Sequence, residues 1–331
     1  MNGKRFSLNV EVGDDGADPL RQTVKLADEL GFEGAWLGDH YMPWIHSGGR
    51  AGMVWPLLGV CLEATKKICV GPIVTTPIGG RYHPALVAQA CATLDEIYPG
   101  RLTLAVGTGE AVNEYPFMER WPSWKERTER LVEGVRLMRQ LWESDSYFDF
   151  DGRYFGKKQL FLYSKPKTRI KVNMSSFGEK SARLAGLNGD GLITTTARCS
   201  FQECRDVLFP NFDAGARESG RDPATLDKIV LLIFTFEGED SYLKSARERA
   251  AGRLAKGSLD NADPRSVESK SESMSKEEIL SRMHFCSTWS DVVELVSRYR
   301  RIGVTNVILP CGPDPEKMRD FAKEVLPHFH S

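Results

Sequence analysis

Residues 38–44 read Gly-Asp-His-Tyr-Met-Pro-Trp and follow the apolar tetrapeptide Gly34-Ala35-Trp36-Leu37, which has the pattern of a short buried strand. Asp39 and His40 therefore fall at the carboxyl end of that strand, with Trp44 one short turn later. In a repeating β/α chain, such strand ends are where catalytic groups are mounted. Histidine is the one side chain whose unperturbed pKa lies near neutrality, which suits it to proton transfer. An adjacent aspartate can orient it or tune its charge. The competing reading of the same pair is a capping aspartate beside a structural histidine.

Polar groups end other expected strands as well. Thr75-Thr76-Pro77 closes the third, Gly107-Thr108-Gly109-Glu110 followed by Asn113-Glu114 closes the fourth, and Thr194-Thr195-Thr196-Ala197-Arg198 closes the sixth. A barrel would bring all of these to one mouth. The Gly107 turn lacks the third glycine of a dinucleotide fingerprint, and Glu110 stands where a phosphate-binding helix would want no negative charge. Its small residues allow a flat ligand to lie against backbone, with Glu110 beside it as proton donor or acceptor. Alternatively, Glu110 is a helix N-terminal charge. Arg198 and Arg282, the latter after a polar insertion, could hold a phosphate by charge-assisted, bidentate hydrogen bonds. Taken singly, each reads as a solvated surface arginine. His40 and His46 lack the spacing and neighbouring carboxylates of a metal site, and no Gly-x-Ser-x-Gly elbow is present.

The elements that must position these residues alternate between short β-branched runs and longer amphipathic stretches. Strands are expected at residues 6–12, 34–37, 68–75, 102–106, 170–174, 191–195, 229–236 and 304–309. Helices are expected at 20–30, 81–98, 124–143, 180–187, 202–220 and 315–325, with Gly31 and Pro99-Gly100 as stops. Eight strands in this alternation are the arithmetic of a (β/α)8 TIM barrel spanning residues 1–331 as one domain. Two segments break the beat. Residues 144–163 read as a hairpin excursion. Residues 241–278 read as a helical lid insertion between the seventh strand and its helix, with an irregular mobile stretch at 261–275.

The composition is that of an ordinary globular chain: 331 residues, 41% hydrophobic and 27% charged, with a net charge of −1. That balance argues against a nucleic-acid footprint or a polybasic membrane surface, but leaves room for a local basic pocket. No apolar run of roughly 18 residues or more marks a transmembrane helix. The seven scattered cysteines read as reduced thiols, so a cytoplasmic enzyme is expected.

Taken together, several motifs identify a family. They are Gly-Asp-His-x-x-Pro-Trp at 38–44, the Thr76 to Ala85 segment with its Arg-Tyr-x-Pro core, Gln89 with Ala92-Thr93-Leu94, and Tyr98-Pro99-Gly100-Arg101. They continue with Gly107-Thr108-Gly109-Glu110-Ala111-x-Asn113-Glu114, Trp121-Pro122 and Leu137-Met138-Arg139-Gln140-Leu141-Trp142. The chain resembles the luciferase-like monooxygenase superfamily, and within it the dehydrogenases that use coenzyme F420, a 5-deazaflavin. The resemblance implies that Asp39 holds the deazaflavin and orients His40. It makes His40 the general base at the substrate hydroxyl as hydride leaves the same carbon for C5 of the ring. Trp44 walls the site, and Glu110 protonates the reduced ring near N1. Val74, after Ile73, falls where the family places a non-prolyl cis peptide against the ring. Thr76, Thr108 with Gly109, and Asn113 match positions that contact ring or tail. Ser175, Ser176 and Gly178 fall near the tail phosphate.

For substrate, the resemblance offers two classes. Thr195, Arg198 and Arg282 match the phosphate-binding positions of the sugar-6-phosphate dehydrogenases, with arginine in place of the usual lysine at 198, and Lys256 is the candidate third cation. This favours a glucose-6-phosphate type of substrate over a simple secondary alcohol. The alternatives are a secondary alcohol dehydrogenase, a reductase running hydride the other way, or a barrel that binds cofactor without turnover. The family's glutamate after the first strand is replaced by Gly13, with Glu11, Asp14 and Asp15 nearby. A homodimer is a further expectation from the family.

Overall fold

Eight parallel strands form the frame of the molecule: β1 (Arg5–Val10), β2 (Gly34–Leu37), β3 (Cys69–Pro72), β4 (Leu104–Val106), β5 (Val172–Ser175), β6 (Gly191–Thr195), β7 (Asp227–Leu231) and β8 (Asn306–Leu309). The computed structural model describes residues 5–10, 17–47, 49–248, 251–255, 257–310 and 314–329. The end of the first expected strand, Gly13 with its acidic neighbours, and Lys256 lie outside the described residues. The strands are ordered β3-β2-β1-β8-β7-β6-β5-β4, and the bridges Val70 to Leu102 and Thr75 to Val106 join β3 to β4. The sheet thus curls into the expected barrel.

Side-chain alternation explains why these short runs suffice. Ala35, Leu104, Leu192, Val230 and Val307 belong to the large core shared with the outer helices. Their neighbours Trp36, Ala105, Ile193, Ile229 and Ile308 form a separate cluster with Ile73, Val74 and Leu231, which fills the barrel interior. At the amino ends of the strands, Asp227 pairs with Arg5 and with Lys171 Nζ at 3.1 Å. The opposite, carboxyl ends are left to carry the polar motifs.

Boundaries shift where the backbone hydrogen bonds are diverted. β3 stops at Pro72 rather than continuing to residue 75, because proline has no N–H for the ladder. The Ile73–Val74 peptide that follows is cis. The seventh expected strand ends at Leu231, and Phe234–Thr235 pairs separately with His284–Phe285. There Thr196 Oγ1 accepts from the Ile233 N–H at 2.8 Å, taking the chain out of the barrel ladder. The helix Val54–Ala64 is not marked by the sequence pattern, because it is apolar nearly all round and contains Pro56 and Gly59.

The hairpin is present as Phe148–Phe150 paired with Lys157–Leu160. The segment after β7 contains the helices Glu239–Glu248, Pro264–Ser273 and Lys276–Leu280, which pack on Ala246, Ala251, Met274 and Ile279. The stretch expected to be irregular at 261–275 is therefore largely helical. Asp263 caps the Arg265 N–H at 3.0 Å, and Pro264 opens the first turn. This segment reaches across to the chain beyond β4: Asp260 accepts from Trp121 Nε1 at 2.7 Å and pairs with Arg127 at 3.2 Å. Among the described residues, no helix is long and apolar enough to cross a membrane.

The β3–β4 seam depends on a missing side chain. A Cβ on Gly71 would lie far inside contact distance of the Thr103 carbonyl oxygen and 2.7 Å from Thr103 Cγ2. Gly71→Ala is expected to lower the urea unfolding free energy by about 1–3 kcal/mol or more through overpacking. Gly59→Ala, whose Cβ meets nothing within 4 Å in a helix, should raise it by about 0.4–1 kcal/mol.

Candidate active site

A single buried amide brings the two expected proton carriers together. Asn113 lies in the short helix Ala111–Glu114 that follows β4, while His40 lies in the loop after β2. Asn113 Oδ1 accepts from the backbone N–H of Tyr41 at 2.9 Å and of Met42 at 3.4 Å. Its Nδ2 is 3.1 Å from His40 Nδ1 and donates to Glu110 Oε2 at 3.1 Å. Trp44 stacks edge-on against His40, with ring centroids 5.9 Å apart. The expected trio of His40, Glu110 and Trp44 thus shares one end of the barrel.

Burial sets the charge states. It pushes His40 down to about 4, aided by the nearby positive charges of Arg253 and Arg81. Burial pushes Glu110 up to about 7 against the opposing pull of Arg198 and Arg253. Near neutrality His40 is therefore uncharged, and Glu110 exchanges its proton with little bias.

Beneath this pair sits a cation that the sequence motifs contain but to which they assign no role. Arg81 pairs with Asp39 Oδ1 at 2.8 Å, donates to the Asp39 carbonyl at 3.0 Å and lies 3.8 Å from Glu114 Oε1. Thr75 and Tyr82 hydroxyls also donate to the Asp39 carboxylate. Asp39 is thus held by three residues, Arg81, Thr75 and Tyr82, which fixes the backbone on which His40 is mounted. Glu114 accepts from the Arg81 N–H at 3.1 Å, and burial pushes it up to about 7. The signal in the sequence was Gly79-Gly80-Arg81-Tyr82, since a Cβ on Gly80 would sit 3.0 Å from a Glu114 carboxylate oxygen.

The remaining cofactor positions form a shallow, small-residue floor. Val74 projects beside Gly107, where a Cβ would meet its Cγ2 at 2.8 Å. A Cβ on Gly109 would be 2.7 Å from Thr76 Cγ2. Ser176 Oγ is buried without a protein hydrogen-bond partner. Ser175 ends β5, and Gly178 caps the helix Glu179–Asn188 with open space above its Cα. A bare backbone floor, an unpartnered hydroxyl and a helix N-terminus fit a flat ring with an anionic tail. Thr108 flanks this floor between the two glycines.

The expected substrate residues are divided. The Thr195 hydroxyl accepts from the Ala197 N–H at 3.2 Å and shapes the loop that carries Arg198. Arg198 is partly buried, close enough to Glu110 to lower its pKa, and its Nη2 donates to the Arg253 carbonyl at 2.7 Å. Arg282 instead points to Glu203 at 3.1 Å and to the Arg198 carbonyl, and its side chain is 40% exposed. Sequence reasoning missed Arg253, three residues before Lys256. Its guanidinium makes no hydrogen bond or ion pair with the described residues, and its charge acts on both His40 and Glu110. No local pattern marks it, because only the fold of the insertion brings it to the mouth. Among the described residues, no cluster of histidine, cysteine and carboxylate side chains could hold a metal ion.

An eight-stranded parallel barrel that gathers His40, Glu110 and a small-residue floor at its carboxyl mouth defines a (β/α)8 enzyme scaffold. The chain belongs to the luciferase-like monooxygenase family, which matches residues 5–306. It is 33% identical over 314 residues to an F420-dependent glucose-6-phosphate dehydrogenase of Segniliparus rotundus, covering 92% of each chain. A Mycolicibacterium fortuitum protein of the same description is 34% identical over 93% of this chain and 92% of its own. Among solved structures, an F420-dependent secondary alcohol dehydrogenase in complex with an F420-acetone adduct superposes with a TM-score of 0.91 at 30% identity, covering 99% of this chain and 100% of the other. The resemblance read from the motifs is borne out by these relatives.

Glu110 gives the site a measurable pH signature. An acid whose pKa is higher in the folded chain keeps its proton where the unfolded chain has lost it. It therefore subtracts stability as pH rises from 4.5, its ordinary value, to about 7. Glu110→Gln is neutral in both states, so its stability relative to the parent should grow with pH across that window and then level off. Urea unfolding at several pH values checks this, and a flat difference would assign the raised pKa elsewhere.

Proposed function

We propose that this protein is a coenzyme F420-dependent dehydrogenase acting on a CH–OH group of a phosphorylated sugar of the glucose-6-phosphate type. When bound, the deazaflavin supplies the ring carbon that exchanges hydride with the substrate. Val74, Thr76, Thr108 and Gly109 would lie against its ring, and Ser175, Ser176 and Gly178 would hold its tail; Asn113, which the resemblance assigns to the cofactor, commits its amide to Tyr41, Met42, Glu110 and His40 instead. Asp39, fixed by Arg81, keeps the His40 loop against that floor. His40 works at the substrate oxygen, with Trp44 closing the wall beside it. Glu110, poised near 7, moves the proton that accompanies a change in ring charge.

The observation that carries the phosphate reading is the pair Arg198 and Arg253, both of which act on Glu110. Arg253 supplies the third cation that the sequence assigned to Lys256. Two guanidiniums beside an acid–base pair favour an anionic substrate over a neutral alcohol. The second reading, a secondary alcohol dehydrogenase, draws on Arg282, which is engaged by Glu203 and not directed at the mouth. The similarity to a solved enzyme of that description points the same way.

Oxidised F420 mixed with the purified protein and glucose 6-phosphate is expected to lose its visible absorbance, whereas isopropanol leaves it unchanged. Bleaching by isopropanol and by none of a panel of sugar phosphates would establish the second reading. His40→Ala should abolish turnover and retain cofactor affinity. Arg253→Ala should raise KM for the sugar phosphate about 10- to 100-fold with little change in kcat, the loss of one charge-assisted contact.

A further inference from the structure

The amide of Asn113 can point only one way. Its Oδ1 is held by two backbone donors, Tyr41 N–H and Met42 N–H. Turning the amide over would set its NH2 against both. The NH2 therefore faces Glu110 Oε2 and His40 Nδ1, each at 3.1 Å, with one hydrogen for each. An imidazole nitrogen that receives an N–H cannot carry a hydrogen of its own. Since His40 is uncharged near neutrality, its single ring proton must then reside on Nε2. That nitrogen makes no hydrogen bond with the described residues.

We propose that Asn113 is a positioning residue that fixes His40 as the Nε2–H tautomer, so that the free protein meets the substrate oxygen with a hydrogen-bond donor. This deepens the proposed function, because it rests on His40 being the group that meets that oxygen. The role differs from the general base implied by family resemblance. In alcohol oxidation the hydroxyl proton then passes to solvent water, and a neutral imidazole in this state steadies the negative charge left on the oxygen as the hydride departs, as a neutral histidine does when it polarises a carbonyl. To accept a hydroxyl proton at Nε2, the ring would first have to move its own proton to Nδ1, where it would confront the Asn113 N–H. Asn113 thereby sets which end of the imidazole is available, and the same amide holds Glu110 beside it.

The test needs neither cofactor nor substrate, so it stands whichever alcohol is turned over. The whole chain is labelled with 15N-histidine, and His40 is assigned by the resonances lost in His40→Gln. At neutral pH the parent should show a pyridine-type shift at His40 Nδ1 and a pyrrole-type shift with an attached proton at Nε2. Asn113→Asp, which offers only acceptors, should exchange the two. Asn113→Ala should give averaged shifts, and it provides a second variant if the aspartate fails to fold. A parent His40 carrying its proton on Nδ1 would overturn the proposal. So would an Nε2–H tautomer that persists unchanged in both variants, since something other than Asn113 would then set it. Failure of the functional reading would appear separately, as absence of F420 bleaching with any substrate by a protein whose tautomer is as described.

Discussion

The site rests on one buried guanidinium shared by two buried carboxylates. The Arg81 side chain is 8% exposed, and those of Asp39 and Glu114 are fully enclosed. One positive charge among two potential negative charges is unbalanced, and a dry interior does not tolerate the excess. Burial resolves it by keeping a proton available to Glu114, whose pKa rises to about 7. Asp39 is compensated by Arg81 and by the Thr75 and Tyr82 hydroxyls. This arrangement ties together the ends of β2, β3 and β4. Such a network contributes less to net stability than to position, because the desolvation of its charges offsets much of their attraction. What it secures is the backbone that presents His40 and Asn113.

From that base the electrostatics of the mouth follow. Asn113 couples a histidine that burial keeps neutral to a glutamate that burial keeps near its titration point. The charges of Arg198 and Arg253 both act on Glu110, so cations and a titrating carboxylate share this end of the barrel. Gly107 and Gly109 lack the Cβ atoms that Val74 and Thr76 would clash with, so these four residues pack into one continuous surface.

Much of this was legible in the linear sequence, for identifiable reasons. The barrel strands are buried on both faces, so they appear as short, nearly continuous apolar runs with polar residues at one end. Gly34–Leu37 and Gly191–Thr195 were bounded as the structure has them. Signals failed where local pattern competes with something nonlocal. Pro72 and the hydroxyl of Thr196 ended two strands early. Pro56 and Gly59 hid a helix in an apolar stretch, and polar composition concealed the helix Pro264–Ser273.

The sequence by itself determined which residue types stand at the strand ends: Asp39-His40, Glu110 with Asn113, and Arg198 all follow their strands directly. A strand end fixes the position of the next few residues, so proximity to the mouth could be read from order alone. Only the tertiary structure decided what each of them faces. It set Arg81 under Asp39, turned Arg282 aside to Glu203 and brought Arg253 from the distant insertion towards Glu110. It also aimed the Asn113 amide, through two backbone N–H groups in a different loop. Orientation, burial and pairing depend on contacts between segments far apart in the chain, and no local spacing encodes them.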